Sequence, residues 1–114
     1  MFLGPARTPE PPYYAVIFTA MLGADTAGYG EMAQRLFHLA DSQPGCLGYE
    51  ISGDARSGIG VSYWTDEESI RAWKADADHQ RAQQLGRDLW YDHYQLRIAR
   101  AEREYGFTRS SEPG

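Results

Sequence analysis

The sequence has a single cysteine, Cys46, and no apolar run that approaches the length of a membrane span. One thiol cannot form an internal disulfide, and without a CxxC motif it gives no structural zinc site. A transmembrane helix would need about 18 uninterrupted apolar residues, and the first dozen residues lack the basic and apolar regions of a signal peptide. We therefore expect a reduced, cytoplasmic protein that is neither secreted nor inserted in a membrane.

Basic clusters and the common catalytic motifs are also missing. The 114 residues include 16 acidic and 11 basic side chains, for a net charge of −5, and the basic residues are scattered along the chain. This distribution lacks the positive footprint of a nucleic-acid-binding surface. GxGxxG, P-loop, HExxH and GxSxG motifs do not occur. The histidines His38, His79 and His93 have no metal-ligand spacing, so neither a metal site nor a resident cofactor is predicted.

What the chain does have is room for one small domain and a high content of aromatic residues, 13% of the total. Pro5, Pro9, Pro11 and Pro12 predict a disordered tail over residues 1–12, because each proline removes a backbone donor and restricts φ. The segment 108–114, rich in Ser, Gly and Pro, predicts a second tail. The domain is therefore predicted at residues 13–107.

Hydrophobic periodicity predicts six elements in this domain. A strand at residues 13–21 is apolar on both faces, and an amphipathic helix follows at residues 26–42. Alternating segments at residues 46–52 and 57–64 predict a hairpin, and Thr65 opens a second helix through a capping box with Glu68. The second helix extends to about Trp90, with a kink near residues 76–78. A last strand with a bulge near Ile98 completes the order βαββαβ.

This order is that of the ferredoxin-like α+β fold, in which an antiparallel sheet carries both helices on one face. The helices can cover only that face, but the first strand is apolar on both of its faces. The most economical cover for the second face is another copy of the chain, with the two sheets packed face to face. The sequence therefore predicts a homodimer.

Aromatic residues concentrate around the second helix: Tyr63, Trp64, Trp73, Trp90 and Tyr91. Apolar walls with few polar groups are typical of a small-molecule pocket, although the same rings could form the core and the dimer contact. His79 lies on the apolar stripe of the later part of the helix. There its imidazole could exchange a proton with a ligand or hydrogen-bond a phenolic oxygen, or it could simply be satisfied by a backbone carbonyl.

Three segments resemble the antibiotic biosynthesis monooxygenase family: residues 43–48 (QPGCLG), residues 61–70 (VSYWTDEESI), and residues 72–74 (AWK) with His79 and Ala82 following. The resemblance covers residues 13–107. It implies a dimeric α/β-barrel of ferredoxin-like protomers, each with a pocket between sheet and helices. Some members oxidise phenolic or quinol-like compounds with O₂ and without metal or flavin.

By this analogy the chain is predicted to be a cofactor-independent monooxygenase that acts on a small aromatic compound. His79 and Trp73 are the predicted catalytic residues. The predicted substrate-binding residues are Tyr63, Trp64, Trp90 and Phe18.

Two alternatives remain. Other family members degrade haem, with an asparagine on the first strand, a tryptophan on the second helix and an iron-ligating histidine ten residues later. Trp73 matches that tryptophan, but Gln83 stands ten residues on and the first strand has no asparagine. These departures disfavour haem degradation, although His79 could serve as a substitute ligand. The second alternative is a non-catalytic dimer that binds a small molecule.

Overall fold

A computed structural model of the protein describes residues 4–76 and 90–109. In these ranges the elements are β1 (Tyr13–Leu22), α1 (Tyr29–Asp41), β2 (Cys46–Gly53), β3 (Ser57–Trp64), α2 (Glu67–Lys74) and β4 (Tyr91–Ala101). The predicted order βαββαβ is confirmed. The predicted extension of the second helix and most of its predicted kink fall on residues 77–89, outside the described residues.

The four strands form one sheet in the order β2-β3-β1-β4, and every neighbouring pair is antiparallel. The ferredoxin-like α+β fold is therefore confirmed. The bulge predicted near Ile98 is wrong, because Ile98 lies in register opposite Val16 and the shift occurs between Met21 and Leu22. After Ile98, Ala99 and Ala101 lie on the other face of the sheet, while Tyr105 and Phe107 lie beyond the end of β4, so no bulge is needed.

The two faces of the sheet follow from the alternation of side chains along each strand. The face covered by the helices, here the helix face, contributes Val16 and Trp64 to a core that also contains Ala40, Ile70 and Trp73. The opposite face, here the open face, carries Ala15, Ile17, Met21, Ile59, Val61 and Tyr63. On it Met21 is 52% exposed and Ile59 is 55% exposed. The protomer therefore leaves large apolar side chains uncovered on one side.

The second helix begins at a cap one residue after the predicted one. The N-cap of α2 is Asp66, one residue after Thr65, and its carboxylate accepts a hydrogen bond from the backbone N–H of Ser69 at 2.7 Å. That bond lowers the pKa of Asp66. The capping box of Thr65 and Glu68 is therefore wrong by one residue. Helix α1 begins at Tyr29 after Gly28, whose φ of 83° is left-handed and suits glycine.

The described part of the N-terminal segment, for which a disordered tail is predicted, contacts the sheet. The backbone N–H of Ala6 donates to Oε2 of Glu50 at 2.8 Å, and the hydroxyl of Thr8 donates to Oε1 of Glu104 at 2.6 Å. The prolines exclude a helix or a central strand, but they leave residues such as Ala6 free to dock through their own N–H groups. At the other end Phe107 is 83% exposed. The domain boundaries at residues 12 and 107 stay predictions.

In the part of the chain that the structure describes, no helix has both the length and the apolar character required to cross a bilayer.

Ile70 is the buried aliphatic residue that holds α2 against the sheet. We expect Ile70→Ala to lower the free energy of unfolding by about 3 kcal/mol, because it removes a buried side chain and leaves a cavity. Urea denaturation measures this change. Glu68→Ala, on the exposed side of the same helix, is the control and should change stability by less than about 0.5 kcal/mol. Equal effects of the two substitutions would contradict the packing described here.

Candidate functional site

A cavity of about 280 Å³ lies between α1 and the helix face of the sheet. Its lining is mainly apolar and aromatic. The aromatic lining residues are Phe18, Tyr29, Phe37, Trp73, Trp90, Tyr91 and Tyr94, and the aliphatic ones include Val16, Met32, Leu36, Ile51 and Leu96. Small-molecule pockets have volumes of about 300–1,000 Å³ and mostly apolar walls. The cavity is therefore suited to a compact apolar ligand of one or two rings.

The floor of the cavity is formed by glycine. On the helix face, β3 presents Gly58, Gly60, Ser62 and Trp64 in turn, and the first three line the cavity. A Cβ atom on Gly60 would collide with Cζ of Phe37, and one on Gly58 would lie 3.6 Å from the hydroxyl of Tyr29. The two missing side chains allow α1 to approach the sheet and still leave space beside it.

One wall of the cavity is a cluster of five rings, here the aromatic wall: Phe18, Tyr29, Trp90, Tyr91 and Tyr94. The centroids of contacting rings in it are 5.3–5.6 Å apart. The indole N–H of Trp90 donates to the carbonyl oxygen of Ala27 at 3.0 Å, which ties the start of β4 to the loop before α1. Burial, together with the hydrogen bond to Tyr29, raises the pKa of Tyr91 well above its usual value, so Tyr91 remains a neutral phenol.

The other end of the cavity is formed by tryptophans and a serine. Trp64 is fully buried, with its ring centroid 5.4 Å from that of Trp73, and Trp73 lines the cavity. The indole N–H of Trp64 donates to Oγ of Ser62 at 2.8 Å. Ser62 is therefore a buried polar side chain in a mainly apolar lining.

The structure brings together three of the predicted site residues, because Phe18, Trp73 and Trp90 all line the cavity. Trp64 packs beneath Trp73 in the core and is not among the residues that form the wall. His79 lies outside the described residues, so its position in the site stays a prediction.

Tyr63 does not share this cavity, and its predicted placement there is wrong. It lies on the open face, where its ring packs edge-on against Tyr13 with centroids 5.8 Å apart and its hydroxyl donates to Glu50 at 2.5 Å. Burial raises the pKa of Tyr63 above its usual value. The physical reason is alternation, since neighbours in a strand point to opposite faces and Trp64 occupies the helix face.

Sequence reasoning missed the glycine floor and the contribution of Tyr29, Phe37, Tyr94 and Ser62. Residues 58, 60, 62 and 64 have the spacing of one strand face, and that face ends in a tryptophan. The bulkier apolar residues at positions 59, 61 and 63 obscured this pattern. Hydrophobicity alone predicts that their face of β3, and not the face with the glycines, is covered by the helices.

Nucleophilic and metal chemistry has little support in the described residues. Over residues 4–76 and 90–109, no three His, Cys, Asp or Glu side chains are grouped so that they could hold a metal ion. Cys46 is half-buried, and desolvation raises the pKa of its thiol, which disfavours the reactive thiolate.

Fold and cavity together define a ferredoxin-like α+β protein with a mainly apolar cavity between its sheet and helices. The family model for antibiotic biosynthesis monooxygenase matches residues 19–85. The uncharacterized protein YqjZ of Bacillus subtilis (strain 168) is 43% identical over 107 residues, which cover 93% of this chain and 94% of the relative. The chain belongs to the antibiotic biosynthesis monooxygenase family.

Solved structures share the fold at low sequence identity. PA3566 from Pseudomonas aeruginosa matches with a TM-score of 0.69 and 14% identity, over 86% of this chain and all of that chain. SO0527 from Shewanella oneidensis matches with a TM-score of 0.73 and 11% identity, over 82% of this chain and 94% of that chain. SnoaB, a cofactor-independent oxygenase from Streptomyces nogalater, matches with a TM-score of 0.66 and 14% identity, over 91% of this chain and all of that chain.

The glycine floor is testable at Gly60. Gly60→Ala should lower the free energy of unfolding by about 1–3 kcal/mol, because the new methyl group must displace the ring of Phe37. In a Phe37→Ala background the same substitution should cost clearly less, as expected for two groups in direct contact. Chemical denaturation of the four proteins in this cycle measures the coupling.

The matched control is Gly30→Ala, since Gly30 is exposed in the first turn of α1, at the edge of the cavity, and has no atom within 4 Å of a new Cβ. It should leave stability unchanged or raise it by up to about 1 kcal/mol. Additive effects of Gly60→Ala and Phe37→Ala would mean that Phe37 does not rest on the floor.

Proposed function

We propose that the protein is a cofactor-independent monooxygenase that oxidises a small phenol or hydroquinone with O₂. The observation that carries the proposal is the cavity between α1 and the sheet, whose aromatic wall and glycine floor suit a flat ring. Membership of the antibiotic biosynthesis monooxygenase family supports the reaction class. The fold shared with SnoaB is consistent with it.

The proposed reaction balances without an external reductant. A phenol and one O₂ give a quinone and one water, so one oxygen atom enters the ring and the other leaves as water. The substrate supplies all four electrons. Ionisation of the phenol is the step that the protein must promote, because a phenolate is a far better electron donor to O₂ than a phenol.

The cavity residues have distinct parts in this scheme. The aromatic wall and Trp73 hold the ring and exclude water, which keeps the substrate radical and reduced oxygen together until they combine. Tyr91 is a poor base because burial keeps it neutral, so it acts as a hydrogen-bonding partner. We assign removal of the phenolic proton to His79, as the sequence predicts, because an imidazole titrates near neutral pH.

We also propose that the protein acts as a cytoplasmic homodimer, with two copies joined through their open faces. The exposed side chains of Met21 and Ile59 on this face support the proposal, as does the partly apolar strand face of β1 around them. Paired sheets of this kind bury their apolar faces about 10 Å apart. The single, half-buried cysteine is consistent with a reducing compartment.

The oxygenase proposal is tested with 1-naphthol as the probe substrate. We expect O₂ uptake and formation of 1,4-naphthoquinone in equal amounts, with one labelled oxygen atom per quinone when the reaction is run under ¹⁸O₂. His79→Ala should lower kcat by about 100-fold, the range that general-base catalysis supplies. The control is His38→Ala, because His38 is exposed on α1, is not among the residues that line the cavity, and should not affect turnover.

Uptake no faster than in buffer would contradict the oxygenase proposal. A stoichiometric Soret band on addition of haem, lost in His79→Ala and followed by ring cleavage with a reductant, would favour the haem-degrading alternative instead.

The dimer proposal is tested at Ile59. Sedimentation velocity at micromolar concentration should show a dimer for the unaltered chain and a monomer for Ile59→Asp, because the substitution buries a charge in the interface. Ala55→Asp introduces the same charge in the exposed hairpin turn and should leave the dimer intact. A monomer in the unaltered chain would refute the proposal.

A further inference from the structure

We infer that Ser62 is the hydrogen-bond donor that orients the oxygen atom of the bound compound, so that the cavity selects rings that carry a hydroxyl or oxo group. This inference rests on the proposed function, since it concerns the same cavity. It adds a positioning residue and a rule for which aromatic compounds bind.

Ser62 lies deep in the protein. Ser62 is 2% exposed and lines the cavity, in a strand whose helix face otherwise presents glycine and tryptophan. In register it lies opposite Val16 of β1 and Tyr49 of β2. A buried hydroxyl in apolar surroundings costs free energy unless it is hydrogen-bonded, so the direction of its hydrogen matters.

The hydrogen bond to Trp64 has a fixed direction. An indole N–H can only donate, so Oγ of Ser62 is the acceptor in the 2.8 Å contact. One lone pair of the serine oxygen is therefore occupied and its O–H remains available as a donor. Because Ser62 lines the cavity, a bound ligand is the acceptor that we infer for this O–H.

The cavity extends beside Ser62. Gly60 and Gly58 continue from Ser62 along β3, the ring of Phe37 lies over Gly60, and Trp73 and Leu96 supply further apolar contacts. A ring held between these side chains can place an oxygen substituent against the serine hydroxyl. A hydrocarbon of the same shape would fill the space and leave the buried O–H without an acceptor, which is how a polar group rejects an apolar analogue.

The same contact would help the proposed chemistry. A hydrogen bond from Ser62 is stronger to a phenolate than to a neutral phenol, because bonds to a charged acceptor are the stronger class. The serine would thus favour the ionised substrate while another group removes the proton.

The experiment compares 1-naphthol with naphthalene by isothermal titration calorimetry. The unaltered protein should bind 1-naphthol more tightly than naphthalene. Ser62→Ala should weaken 1-naphthol binding by about 10-fold, the usual size of one hydrogen bond, and change naphthalene binding by less than about twofold. Ser42→Ala is the control, because Ser42 is exposed just after α1, away from the residues that line the cavity, and should leave both affinities unchanged.

A second variant separates this role from support of Trp64. Ser62→Ala leaves the buried indole N–H without its acceptor, whereas Trp64→Phe removes that N–H and keeps the serine. In the Trp64→Phe background, Ser62→Ala should still lower 1-naphthol affinity by about 10-fold relative to naphthalene. If the loss disappears in this background, Ser62 serves only the indole and the inference is wrong.

The outcomes also distinguish this inference from the proposed function. Selective binding of 1-naphthol that depends on Ser62, without O₂ uptake, would overturn the oxygenase and leave Ser62 as a ligand contact. O₂ uptake with equal losses of both ligands in Ser62→Ala would overturn the role of Ser62 alone. Failure of both compounds to bind would overturn the inference as well.

Discussion

The burial of Trp64 beneath α2 is the constraint on which the rest of the structure depends. Its indole is fully buried and packs against Trp73, in a core shared with Ile70. Since side chains alternate along a strand, this one placement commits Gly58, Gly60 and Ser62 to the helix face. It also commits the bulkier residues of β3 to the open face. The glycine floor of the cavity and the exposed apolar surface of the open face both follow from the burial of Trp64 on the helix face.

Two groups of rings bound the cavity at opposite ends, and the rings of each group pack against one another. Trp73 rests on Trp64 at one end, and the aromatic wall joins β1, β4 and the start of α1 at the other. The bond from Trp90 to Ala27 fixes the wall to the loop before α1. Because these rings are already packed against one another in the protomer, filling the cavity would cost them little conformational freedom.

The open face has a part covered through hydrogen bonds to Glu50 and a part where apolar side chains are exposed. Glu50 accepts hydrogen bonds from Tyr63 and from the backbone of Ala6, which holds the N-terminal segment against β2 and β3. Met21 and Ile59, towards the hairpin end of the sheet, remain uncovered in the protomer. The chain thus covers part of this face with its own N-terminal segment, and the rest is the surface through which we propose that two copies meet.

The order of elements, the pairing of β2 with β3 and the doubly apolar character of β1 could all be predicted from the sequence, because each depends on periodicity within a short segment. That Phe18, Trp73 and Trp90 line one cavity could be predicted for a similar reason, since large rings flank the elements that enclose it. The face on which Tyr63 lies could not be predicted. Both faces of β3 carry apolar side chains, and only the contact of Trp64 with α2 decides which of them is covered. The donor at Ser62 is likewise a tertiary property, because a serine in a strand acquires a defined direction only when a buried indole occupies its acceptor site.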